Sequence, residues 1–201
     1  MKRIFAIFLL INFSFLGMTQ SSNNSSQEIA TLGGGCFWCM EAIFDGVQGV
    51  QKVESGYSGG KVPNPTYKEV CSGLTGHAEV VRIYFSPVEI SYAELLTIFF
   101  SVHDPTTLNR QGGDVGEQYR SVIFYHDEQQ KNVAEKMIAD LENSKVFSDP
   151  IVTVLVPEAP FYIAEDYHQN YYENNPSQSY CQVVINPKMN KFRERFKEKL
   201  K

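Results

Sequence analysis

Beyond residue 28 the apolar positions of the chain alternate between strand-like and helix-like spacing. Ile29-Ala30-Thr31-Leu32 reads as a short strand. After Gly33-Gly34-Gly35-Cys36, the residues Met40, Ile43 and Phe44 recur at helical spacing, so Cys36 falls where a glycine turn delivers a strand into a helix. Val50 to Tyr57 is a second strand, closed by Ser58-Gly59-Gly60. The stretch 61–67 carries Pro63 and Pro65 and is irregular, because each proline restricts itself and its predecessor. His77 to Phe85 alternates, with Glu79, Val81, Ile83 and Phe85 on one face and Ala78, Val80, Arg82 and Tyr84 on the other. A carboxylate at the head of the more apolar face either meets a partner or has its pKa raised by desolvation. The alternative is a surface glutamate at a fraying strand end.

Ser91-Tyr92-Ala93-Glu94 is a capping-box start, followed by Leu95, Leu96 and Phe99, and that helix ends near His103-Asp104-Pro105. A long polar loop, 106–117, leads to a strand at Ser121 to Tyr125. Asp127 opens a second helix, whose Ala134, Met137, Ile138 and Leu141 form one core-facing stripe. Ile151 to Val156 is an apolar strand, broken by Pro157 to Pro160. Phe161 to Tyr172 is aromatic and partly helical, and a polar loop then leads to Tyr180-Cys181. Met189 to Lys201 reads as a short basic amphipathic helix packed on the domain through Phe192 and Phe196. These elements predict an α+β domain: a two-layer arrangement of a mixed sheet with helices packed mainly on one face.

Composition narrows this picture. The 201 residues are 43% hydrophobic and 20% charged, which suits one globular domain over 28–201, with 188–201 as its C-terminal helix. A net charge of −5 argues against a nucleic-acid binder working through phosphate contacts. Lys2 and Arg3 precede an apolar run from Ile4 to Leu16, and small and polar residues follow, so residues 1–20 resemble a signal peptide. Residues 21–27 form a polar Ser/Asn linker. The expectation is an exported protein, periplasmic or secreted, in contact with a membrane only if the segment stays uncleaved. Four cysteines (Cys36, Cys39, Cys71 and Cys181) could then form structural disulfides or a catalytic dithiol.

Cys36 is the sharpest chemical candidate. At a helix N-terminus, free backbone N–H groups and the helix dipole favour a thiolate, and Phe37 and Trp38 flank the sulfur. Two other readings use the same residues. Cys36-Phe37-Trp38-Cys39 is the spacing of a thiol–disulfide oxidoreductase. With Cys71 and His77 it could also be half of a metal site, although Cys71-x5-His77 is a poor second half.

Seven separated stretches decide among these. Gly-Cys-Phe-Trp-Cys at 35–39, Gly-Tyr-Ser-Gly-Gly at 56–60, Pro-Asn-Pro-Thr-Tyr at 63–67 and Cys-Ser-Gly-Leu-Thr-Gly-His-Ala-Glu at 71–79 resemble the A-type peptide methionine sulfoxide reductases. So do Arg-Gln-Gly-Gly-Asp at 110–114, Gln-Tyr-Arg at 118–120 and Ala-Glu-Asp-Tyr-His-Gln at 164–169. The resemblance spans about Ile29 to Cys181 and leaves the C-terminal helix outside it.

The resemblance implies a ferredoxin-like two-layer sandwich and reduction of methionine S-sulfoxide, free or in oxidised proteins. It implies no bound cofactor or metal, and recycling by thioredoxin or a thioredoxin-like protein. Cys36 would attack the sulfoxide sulfur and become a sulfenic acid. Glu79, Tyr67 and Tyr119 would meet the sulfoxide oxygen, and Asp114 would order the polar side of the site. Phe37 and Trp38 would wall the methyl, and His168 would support the site. Cys181 would resolve the sulfenic acid through a disulfide with Cys36, with Cys39 as the alternative and Cys71 structural. One departure stands out: Cys181 is followed by apolar Gln182-Val183-Val184-Ile185 rather than glycines, with no later cysteine to relay a disulfide.

Overall fold

A computed structural model describes residues 27–201. The expected signal segment, and the linker up to residue 26, lie outside the described residues. In order, the elements are β1 (Glu28–Gly34), α1 (Phe37–Asp45), β2 (Val50–Ser58), α2 (Tyr67–Cys71), β3 (Ala78–Phe85), α3 (Tyr92–Val102) and a ribbon of β4 (Arg110–Gln111) with β5 (Asp114–Val115). Then come β6 (Ser121–Tyr125), α4 (Glu128–Asn143), β7 (Val154–Pro157), β8 (Phe161–Ile163), α5 (Tyr171–Asn174) and α6 (Asn186–Arg195).

Six strands form one mixed sheet in the order β7-β6-β1-β3-β2-β8. Only the β6–β7 pair is parallel. β1 lies inside because its residues are small or apolar on both faces: Ala30 and Leu32 are buried on one, Thr31 on the other. Leu32 pairs with Val81 on one side and Ile123 on the other, which places the glycine turn after β1 between two central strands. The buried residues of α1, α3, α4 and α6 share one core with Val81, Ile83 and Phe85 of β3. Ala78, Val80, Val122 and Phe124 form a smaller cluster on the opposite face, covered by Val156, Ala159 and Phe161. Phe37, Met40, Ile43 and Phe44 are fully buried, and each such side chain stabilises the α1 contact by about 1.5–3 kcal/mol.

The elements depart from the expected ones where polar anchoring or caps intervene. Strand β7 begins at Val154 rather than Ile151, because the Val152 N–H donates to the Pro105 carbonyl and the Thr153 hydroxyl bonds Ser121 Oγ. The proline-rich stretch ends in an unforeseen helix, α2, which Thr66 and Glu69 start with a capping box. The long loop 106–117 folds back on itself as the β4–β5 ribbon. Helix α6 starts at Asn186, three residues before Met189, since a wide turn over Cys181–Ile185 runs directly into it and Pro187 fits its first turn.

Candidate active site

Gly35 makes the turn between β1 and α1. Its φ of +94° favours glycine, and a Cβ there would lie 2.6 Å from the Gln111 side chain. Gln111 is buried and held by Asp104, accepting from its N–H (3.1 Å) and donating to its carbonyl (3.0 Å), so the β4–β5 ribbon closes tightly over the turn. Cys36 then becomes the N-cap of α1 and Cys39 its third residue, with the Cys39 N–H donating to the Cys36 carbonyl at 3.1 Å. Both side chains are buried. The expected lowering of the Cys36 thiol is reversed in this resting arrangement. Burial, the neighbouring Cys39 and the nearby Glu79 carboxyl group push Cys36 well up. Cys39, with Cys36 beside it and the charge of Lys188 in reach, is lowered.

Glu79 is 1% exposed, so the surface alternative is excluded. Its Oε2 accepts the Phe37 N–H at 3.1 Å, the first free amide of α1. Burial outweighs that bond and pushes the carboxyl up to about 8, so it is largely protonated at neutral pH. Beside it lies a cavity of about 170 Å³ lined by Cys36, Phe37, Trp38, Tyr67, Glu79, Asp114, Tyr119 and Tyr180. Burial holds the phenols of Tyr67 and Tyr119 above the usual tyrosine range, so both are hydrogen-bond donors at any physiological pH. Larger clefts exist, one of about 610 Å³ between α3 and α6, but that one contains no cysteine. Convergent titratable groups, not size, single out the small cavity.

The walls are braced from a distance. Glu165 accepts from the Tyr67 N–H and the Tyr57 hydroxyl, both at 2.9 Å, which clamps α2 against β2. Gln169 bonds Ser55 N–H and carbonyl together, so the 164–169 stretch pairs with the sheet edge through its side chain. His168 is buried, and its Nδ1 accepts the Trp38 Nε1–H at 3.0 Å; burial lowers its pKa and keeps it neutral. His77 accepts from the Gly60 N–H and bonds the Val62 carbonyl, fixing the glycine loop with both ring nitrogens. Among the described residues no three His, Cys, Asp or Glu side chains converge as metal ligands.

The site residues read from the sequence thus divide. Cys36, Phe37, Trp38, Tyr67, Glu79, Asp114 and Tyr119 come together, and His168 stands behind them. Cys39 is buried beside Cys36, Cys71 is exposed, and Cys181 is fully buried and lines no part of the cavity.

A family model for peptide methionine sulfoxide reductase matches residues 28–200. The chain belongs to this family. The match takes in the C-terminal helix, which the motif resemblance had left outside. The chain is 55% identical over 190 residues to the peptide methionine sulfoxide reductase MsrA of Deinococcus radiodurans, covering 92% of each. It is 59% identical over 173 residues to that of Sulfolobus acidocaldarius, covering 86% of this chain and 97% of the other. The fold is similar to Mxr1 of Saccharomyces cerevisiae in reduced form (TM-score 0.70, 36% identity, 79% of this chain and 91% of the other). It is also similar to methionine sulfoxide reductase A of Corynebacterium diphtheriae (TM-score 0.64, 34% identity, 76% of each). The reductase is an oxidoreductase that returns methionine S-sulfoxide to methionine.

Two contributors of this reductase were not foreseen. Tyr180 donates to Asp114 Oδ2 at 2.6 Å and lines the cavity with Cys36, and Tyr171 stacks on Trp38 at 3.7 Å and 6°. In a chain with 11 tyrosines, no spacing marks these two.

Proposed function

We propose that Cys36 attacks the sulfoxide sulfur while the protonated Glu79 carboxyl delivers a proton to the oxygen. The observation that carries this reading is a buried, neutral carboxyl beside the only cysteine that lines the 170 Å³ cavity. The phenols of Tyr67 and Tyr119 hold the oxygen, while Asp114, braced by Tyr180, orders the polar side. Phe37 and Trp38 offer an apolar wall to the methyl group. Cys36 starts as a thiol; as the sulfur–oxygen bond transfers, its proton passes on, methionine leaves and Cys36 remains as a sulfenic acid. A second thiol then closes a disulfide with Cys36, a step that the family pattern gives to Cys181. A thioredoxin-like dithiol opens that disulfide without a bound cofactor.

The four central strands run as fourth, first, third, second, with helices after the first and third. That order supports the ferredoxin-like two-layer reading. The Lys2-Arg3 and apolar N-terminus supports export, where the partners would be oxidised proteins, free methionine sulfoxide and an exported reductant. Single-turnover methionine release tests the chemistry. Cys36→Ser should release none, and Glu79→Gln should slow release by about 10²–10⁴-fold. An unchanged rate in Glu79→Gln removes Glu79 from the reaction.

A further inference from the structure

Resting on Cys36 as the sulfur that the substrate oxidises, we infer that Cys39, not Cys181, first resolves the Cys36 sulfenic acid. Cys36 caps α1 and Cys39 occupies its third position, with the Cys39 N–H bonded to the Cys36 carbonyl at 3.1 Å. One helical turn separates positions i and i+3 by about 5–6 Å, inside the range a disulfide spans. Both side chains are buried on the first turn of α1, so attack needs a side-chain rotation and no change of fold.

Cys181 is placed differently. Its side chain is fully buried, and the wide turn that it opens packs against α1 and α6. Its predecessor Tyr180 is tied to Asp114 (2.6 Å) and set edge-on to Trp38. The flanking chain is tied down as well, through Gln182 N–H to the Gln178 carbonyl at 3.0 Å and Tyr172 hydroxyl to Asn186 Oδ1 at 2.6 Å. Bringing Cys181 to the cavity means breaking these contacts, whereas Cys39 is in place before turnover begins.

The environment also prepares Cys39 as a nucleophile. The Tyr180 hydroxyl and the charge of Lys188 both favour its thiolate, and the thiolate is the form that attacks. The Cys39 sulfur bonds to the Cys36 sulfur, the Cys36 sulfur–oxygen bond breaks, and the hydroxyl leaves as water with the proton. Cys39 is oxidised by one electron equivalent and Cys36 reduced by one, which leaves a Cys36–Cys39 disulfide. A dithiol of the thioredoxin class then supplies two electrons and two protons to restore both thiols.

Trypsin separates the two outcomes. Cys36 and Cys39 share one peptide ending at Lys52, while Cys181 lies on the peptide that runs from Val146 to Lys188. The reduced full-length protein is mixed with one equivalent of methionine sulfoxide without reductant, quenched in acid, alkylated and digested for mass spectrometry. The expected first product is the peptide ending at Lys52 with an internal disulfide, formed equally in Cys181→Ser. In Cys39→Ser that product is lost and Cys36 becomes trappable by dimedone. A Cys36–Cys181 cross-linked pair as the first disulfide overturns the inference, as does a dimedone adduct in Cys181→Ser with none in Cys39→Ser. If wild-type protein releases methionine with Cys36 unmodified, it is the nucleophile assignment that fails.

Discussion

Glu79 shows how one buried group couples folding to chemistry. Its carboxyl titrates near 8 in the folded protein against a reference value of 4.5. Between those values the folded state holds a proton that the unfolded chain has lost, so the stability from this group falls as pH rises through that window. The span corresponds to about 4–5 kcal/mol at most. Urea unfolding at pH 5 and pH 9 should therefore show a smaller loss of stability in Glu79→Gln than in wild type. Activity should decline above about pH 8 as the acid ionises, and a flat profile to pH 10 would contradict that role. Cys36 gives the complementary lesson: the helix N-terminus stabilises negative charge, yet burial, Cys39 and Glu79 together prevail at rest.

At the scale of elements, the cavity is a junction of α1, α2, the β4–β5 ribbon and the segment around Tyr180. Most of these are short, and side-chain ties hold them instead of length. The Tyr180–Asp114 bond joins two of them, and a hydrogen bond to a charged group contributes about 1.5–3 kcal/mol. Tyr180→Phe should raise amide exchange around residues 176–185 and 110–116 by roughly 10- to 100-fold, while α1 stays protected. Equal exchange in both proteins would mean that the ribbon and the Cys181 segment are held by packing alone.

For the molecule as a whole, the C-terminus closes the structure. Phe192 is fully buried in the main core, and the chain end is stitched to the end of α1. Lys199 O accepts from Gln48 N–H at 2.7 Å, and the Lys201 N–H donates to the Gly46 carbonyl at 3.1 Å. Phe192→Ala should cost about 3–5 kcal/mol in denaturant unfolding. The Lys199–Glu94 pair is half exposed and contributes little by comparison, even though it links α3 to the chain end. A loss under 1 kcal/mol in Phe192→Ala would show that α6 is an appendage.

The strands and helices with long periodic patterns were legible in the chain, because apolar spacing reports which face is buried. The chain also marked the family through seven ordered motifs, and it placed Glu79 on an apolar face. What depends on distant partners emerged with the fold: the protonation of Glu79, the raised thiol of Cys36, and the clamping of α2 by Glu165. Tyr180 and Tyr171 were illegible because a tyrosine's role follows from the neighbour it meets, and Asp114 and Trp38 are far from them in the chain. The spacing Cys36-Phe37-Trp38-Cys39 left open whether the two sulfurs act as a pair. Folding distinguished them, by opening Cys36 to a small cavity and leaving Cys39 buried one turn along α1.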